Sequence, residues 1–160
     1  MKKYLTESRN QTFKLGKNFA ARISPGDILL LYGELGAGKT TFVQGLAKGL
    51  HIKDRVLSPT FVLIRQYEIP NYSSSDPPAG GESRNSRQAR TINLNHIDLY
   101  RIEKPDDLTN LGLSEIAEDQ TSITVIEWAD RIKDLELKQI YKIFFKHLEG
   151  DRREILIEKL

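Results

Sequence analysis

The run ILLLYGELGAGKTT, residues 28–41, constrains this chain more than any other stretch. Ile28 to Tyr32 is a continuous apolar run of strand length, the pattern of a strand covered on both faces in an α/β sheet. Gly33 to Thr40 follows at once and fits G-x-x-x-x-G-K-[ST]. At average composition, with glycine near 7%, such a pattern arises by chance in roughly one chain of this length in two hundred. Context argues against chance, because a strand precedes the loop and Phe42, Val43, Leu46, Ala47 and Leu50 follow it at helical spacing. Glycines let successive backbone N–H groups converge on phosphate oxygens, and the helix N-terminus adds its positive end. Lys39 is then expected to reach the β- and γ-phosphates, with the Thr40 hydroxyl on Mg²⁺. The alternative is a glycine-rich turn with no ligand. The Asn-Lys-x-Asp motif common in GTPases does not occur, so ATP is the expected nucleotide.

Gly45 and Gly49 each weaken the following helix by about 1 kcal/mol relative to alanine, so that helix is expected to pack closely on a neighbour. A helix is predicted over Thr6 to Arg22, with Ser8 and Gln11 as a capping box and Leu15, Phe19 and Ile23 on one face. Ser24-Pro25-Gly26-Asp27 reads as a turn. Phe61 to Ile69, Ile92 to Tyr100 and Ser122 to Trp128 read as strands, and Pro105 to Asp119 as short helices around Gly112. Lys138 to Glu149 and Arg152 to Glu158 read as a hairpin across Glu149-Gly150-Asp151. The expected fold is a single-domain α/β phosphate-loop architecture over residues 1–160, with a mixed sheet: a parallel heart flanked by antiparallel pieces.

Residues 70–91 are dense in Pro, Gly, Ser and Arg and poor in apolar residues. They are expected to form a flexible hairpin insertion. The alternative is that Arg84, Arg87 and Arg90 touch RNA or an acidic partner. The chain has no cysteine, which excludes disulfides, zinc–thiolate sites and cysteine nucleophiles. No apolar run approaches the ~20 residues of a membrane span, and the N-terminus lacks a signal-peptide core, so a cytoplasmic protein with no membrane role is expected. The net charge of +2 permits contact with nucleic acid without arguing for it.

A phosphate loop needs a further carboxylate near Mg²⁺. Glu127 ends the apolar strand ITVIEW, where α/β sheets place ligand groups, and it is the favoured metal residue over an ordinary exposed acid. In HIDLYR, His96, Asp98 and Tyr100 alternate and should share one strand face. Asp98 is the second candidate, against a structural bond or an ion pair with Arg101. Ser58-Pro59-Thr60-Phe61 is either a turn entering a strand or a switch loop whose hydroxyl senses the γ-phosphate. Trp128, the one tryptophan, is either core packing or site rim.

GELGAGKTTF, SPTF, HIDLYR and IEWADR, in this order, resemble the TsaE (formerly YjeE) family, phosphate-loop ATPases of N6-threonylcarbamoyladenosine synthesis in tRNA. The resemblance covers nearly the whole chain apart from 70–91. It implies an α/β domain that binds ATP and Mg²⁺ and works with TsaB and TsaD. TsaB and TsaD transfer the threonylcarbamoyl group, and ATP hydrolysis resets their complex, with tRNA engaged indirectly through it. By motif, Gly33, Leu35, Gly36, Ala37, Gly38, Lys39, Thr40 and Thr41 hold the nucleotide, with Thr40 and Glu127 on Mg²⁺. Lys39, Thr60, Asp98 and Glu127 serve the switch and the catalytic centre. Asp130 and Arg153 (Arg152 if the register slips) line the nucleotide, and Ser8 and Arg9 touch its base. Glu34 replaces an Asp common in family loops and keeps the charge, whereas the 70–91 insertion has no counterpart in short family hairpins. Two other functions compete with this one: a small-molecule kinase, for which acceptor and lid domains are wanting, and a nucleotide-gated binding module with negligible turnover.

Overall fold

In a computed structural model, residues 1–59, 62–70, 92–102, 112–132, 137 and 139–160 are described. The strand ahead of the glycine loop, β2 (Ile28–Tyr32), lies at the centre, its first four residues buried on both faces as their continuous apolar character requires. The other elements are β1 (Lys2–Thr6), α1 (Arg9–Phe19), α2 (Lys39–Gly49), β3 (Ile64–Ile69), β4 (Ile92–Asp98), α3 (Leu113–Glu118), β5 (Ile123–Glu127), β6 (Ile140–His147) and β7 (Arg153–Lys159). They form a seven-stranded sheet in the order β1-β7-β6-β2-β5-β4-β3. β6, β2, β5 and β4 run parallel, while β3, β7 and β1 add antiparallel pairs at the flanks. This is the expected mixed sheet.

Register places the functional strand ends together: Leu31 pairs with Glu127, and Glu127 with Asp98. One sheet face, carrying Leu29, Leu31, Val125 and Ile143, packs under Phe42, Val43 and Leu46 of α2. Ile28, Leu30, Ile97 and Ile126 form a second apolar cluster with Leu99 and Leu113. Full burial of each such side chain contributes about 1.5–3 kcal/mol, so both layers hold the parallel strands in place.

The glycines of α2 pack as expected. A Cβ at Gly45 would run into the Phe13 carbonyl oxygen, one at Gly49 into that of Lys17, and one at Gly16 of α1 into that of Phe42. The two helices therefore meet backbone to backbone. Gly45→Ala should destabilise the fold by about 2 kcal/mol, because overpacking outweighs the gain in helix propensity. A fall of roughly 4–8 °C in Tm checks this; a rise would show that the helices can separate.

Local structure departs from expectation in three places. Thr6 is not helical but ends β1, and α1 starts at Arg9. Extended Ser8 caps it, its Oγ accepting from Gln11 N at 3.3 Å, while Gln11 Oε1 reaches back to Glu7 N at 2.8 Å. The expected strand from Phe61 begins only at Ile64, because the Val62 and Leu63 amides both donate to Pro59 O (2.8 and 2.6 Å) and Leu63 takes a φ of 69°. β4 ends at Asp98 rather than Tyr100, because the Tyr100 amide turns back onto Asp98 Oδ1 at 3.0 Å. The helical reading of Pro105 to Asp119 is met by α3; its part at 105–111, and the insertion at 71–91, lie outside the described residues.

Candidate nucleotide-binding site

β2 delivers the chain to Gly33, whose φ of 139° no other residue type adopts readily and whose missing Cβ admits the Phe145 carbonyl. Gly38, at φ 106°, turns the loop into α2, so the helix N-terminus opens at Lys39. Lys39 is 4% exposed, and its Nζ donates to Gly33 O at 2.5 Å and Glu34 O at 2.9 Å. The ammonium also lies 4.0 Å from the Trp128 ring centroid. Burial pushes the Lys39 pKa down, and the negative charges of Glu127, Asp98 and Asp130 oppose that shift.

Thr40 follows on the first turn of α2 and donates its hydroxyl to Glu127 Oε2 at 2.9 Å. The other carboxylate oxygen, Oε1, lies 2.8 Å from His96 Nε2; a carboxylate only accepts, so the ring donates from Nε2. Both acidic side chains sit at the carboxyl ends of adjacent parallel strands, where open α/β sheets bind ligands. Asp98 accepts the Ser58 hydroxyl at 2.6 Å on Oδ2, linking the segment after α2 to β4. Trp128 takes a left-handed φ of 60°, a strain of order 1–3 kcal/mol that turns its ring toward Tyr100, with centroids 5.0 Å apart.

Together these groups border a cleft of about 230 Å³. Leu35, Gly36, Gly38, Lys39, Thr40 and Thr41 form one side; Ser58, Asp98, Tyr100, Glu127 and Trp128 form the other. Gly33 contributes its carbonyl to Lys39, and Ala37 is buried beneath the loop. The Arg153 side chain, from the start of β7, packs beside Gly38, and its Nη1 donates to Asp151 O at 2.5 Å. Asp130 stands exposed in the 3-10 turn Ala129–Arg131, near enough to oppose, after Glu127 and Asp98, the fall that burial imposes on the Lys39 pKa. The structure does not bring Ser8 or Arg9 into this cleft. Ser8 caps α1, and the Arg9 guanidinium donates to Gln44 Oε1 at 3.3 Å and lines a second cavity. Thr60 lies outside the described residues.

Residues 6–155 match the family model described as Threonylcarbamoyl adenosine biosynthesis protein TsaE. The chain belongs to the TsaE family. The tRNA threonylcarbamoyladenosine biosynthesis protein TsaE of Bacillus subtilis (strain 168) is 35% identical over 153 residues, covering 96% of this chain and 82% of that relative. Its namesake in Nostoc sp. is 38% identical over 135 residues, covering 82% of this chain and 70% of the relative. The crystal structure of Bacillus subtilis YdiB superposes with a TM-score of 0.68 at 32% identity, covering 96% of this chain and 82% of that one. A place in the family of tRNA threonylcarbamoyladenosine biosynthesis is thereby established, as is the α/β fold. No described helix of this TsaE-family chain is long and apolar enough to cross a membrane.

His96 was the partner that sequence reasoning missed. Its alternation with Asp98 put it on the right face, but only the pairing of β4 with β5 shows that it reaches Glu127.

Proposed function

We propose that this TsaE-family protein binds ATP with Mg²⁺ and hydrolyses it to reset or regulate the TsaB–TsaD threonylcarbamoyl-transferase complex in the cytoplasm. tRNA is engaged through that complex. The observation that carries the reading is the 2.9 Å Thr40–Glu127 contact at the strand ends, beside a buried lysine and a helix N-terminus. A hydroxyl and a carboxylate make an all-oxygen donor set, which suits Mg²⁺; that ion takes one or two carboxylates and fills its other positions with phosphates and water. Among the described residues no cluster of three or more His, Cys, Asp or Glu forms a protein-only metal cage, in keeping with such a shared site.

Thr40 and Glu127 would hold the ion, which neutralises phosphate charge when bound. Lys39 and the amides at the start of α2 bind the phosphates and stabilise the negative charge that hydrolysis spreads over their oxygens. Asp98, lining the cleft, orients the attacking water, and its bond to Ser58 ties that residue to the site, while Thr60 is assigned to sensing the γ-phosphate by motif alone. Leu35 (76% exposed) and Tyr100 at the cleft mouth, with Asp130 and Arg153 near it, leave the nucleotide open to groups supplied by a partner.

Turnover should therefore be low for the isolated chain and should rise on the order of tenfold or more with TsaB and TsaD, as for sites completed in trans. A phosphate-release assay with and without the two proteins measures this. Rapid phosphoryl transfer to a metabolite panel without either partner would overturn the reading in favour of a small-molecule kinase.

A further inference from the structure

We propose that His96 is a positioning residue for the Mg²⁺ site: it fixes the Glu127 carboxylate so that the carboxylate can hold Thr40 and the ion together. The inference rests on the ATP–Mg²⁺ reading above and deepens it. His96 is fully buried, and its Nε2 meets Glu127 Oε1 at 2.8 Å. Its Nδ1 has no hydrogen-bond partner among the described residues. The only polar bond the ring makes there is thus the one to Glu127.

The geometry divides the work of the carboxylate. Oε2 faces α2 and accepts from Thr40, while Oε1 faces β4 and accepts from His96. A glutamate has three side-chain torsions, and its two oxygens can exchange places by rotation of the terminal one. A donor fixed on the rigid centre of β4 selects one orientation before any ligand arrives, because β4 is paired on both sides, with β3 and with β5. Stability alone does not call for this arrangement. A buried polar pair is often matched or surpassed by apolar residues of similar volume, and Leu94 and Ile97 show that β4 accommodates them. The pairing is of the kind that orients metal ligands elsewhere, where loss of the supporting hydrogen bond typically lowers metal affinity or activity about 10–100-fold.

Trp128 supplies the readout, because it is the only tryptophan, follows Glu127 directly and lines the cleft. Its fluorescence is followed while Mg²⁺ is titrated into the full-length protein holding ADP, and ADP binding is measured separately in EDTA. In His96→Leu the Mg²⁺ midpoint should rise about tenfold or more, with ADP affinity in EDTA unchanged within about twofold. His96→Gln, whose amide nitrogen reaches about as far as Nε2, should restore most of the wild-type midpoint. His96→Asn ends one bond short and should behave like the leucine variant while retaining a polar side chain if leucine fails to fold. A merely structural role would lower Tm in all variants without separating Gln from Asn, and that result overturns the proposal. A Mg²⁺-dependent wild type with an unshifted midpoint in both His96→Leu and His96→Asn overturns the positioning role alone. A wild type whose nucleotide binding ignores Mg²⁺ overturns the ATP–Mg²⁺ reading and the positioning role with it.

Discussion

Lys39→Ala should weaken ATP binding about a hundredfold or more while leaving the protein folded. The side chain is already ordered beside the loop that is expected to hold the phosphates. Two loop carbonyls hold its ammonium at 2.5 and 2.9 Å, and the Trp128 ring backs it at 4.0 Å, so little ordering remains for binding. Burial disfavours the charge, and Glu127, Asp98 and Asp130 support it from a distance. A polyphosphate would add a direct counter-charge, which Lys39 lacks among the described residues. Each hydrogen bond to a charged group contributes about 1.5–3 kcal/mol, and Lys39 is expected by motif to reach two phosphates, which takes its third N–H and one of the two now given to loop carbonyls. Lys39→Arg should fare little better, because a planar fork cannot repeat a point charge held between two carbonyls. Calorimetric titration with ATP checks both variants, and a thermal melt separates lost binding from lost structure. Affinity within about threefold of wild type would remove Lys39 from the site.

What could be read ahead of the structure follows from how local each signal is. β2, the loop and α2 were legible because an apolar run, a glycine spacing and a helical period each lie within a few neighbouring residues. The β6–β7 hairpin was legible for the same reason, its turn being marked by Glu149-Gly150-Asp151. β1 was not legible: Lys-Lys-Tyr-Leu-Thr has no clean alternation, and its pairing with β7, as Tyr4 with Ile155, joins opposite ends of the chain. The late start of β3 escaped notice because a leucine, not a glycine, takes the left-handed position at residue 63.

The site divides along the same line. Lys39, Thr40, Asp98 and Glu127 could be placed by motif and strand end, and all four line the cleft. Arg9 could not be placed, because its side is set by how α1 crosses α2 through Gly16, Gly45 and Gly49. That crossing turns its guanidinium onto Gln44. His96 and Ser58 gain their meaning from bonds that span 31 and 40 residues of sequence, distances over which no local pattern reports.

The same division of contacts makes Glu127 the most informative residue to change. Glu127→Ala should lower Mg²⁺-dependent hydrolysis about a hundredfold or more, yet leave nucleotide affinity in EDTA within about threefold of wild type. Phosphate binding is expected to rely on Lys39 and the helix amides, none of which bonds to Glu127 among the described residues. Alanine leaves the Thr40 hydroxyl, which water in the cleft can reach, and the fully buried His96 Nε2–H without their acceptor, and a buried unmet donor such as the imidazole's costs about 1–3 kcal/mol. Relief from burying the carboxylate offsets part of that loss, so the change in Tm should be smaller than the change in rate. Glu127→Gln separates shape from charge. Its carbonyl oxygen can still accept from His96 Nε2–H while its amide donates to Thr40 Oγ1, a hydroxyl that accepts as well as donates, so both contacts survive without the negative charge. The glutamine variant should therefore fold nearly as well as wild type but hydrolyse ATP as slowly as alanine. Unchanged turnover in Glu127→Ala would take the metal role away from β5 and leave Asp98 as its nearest carboxylate.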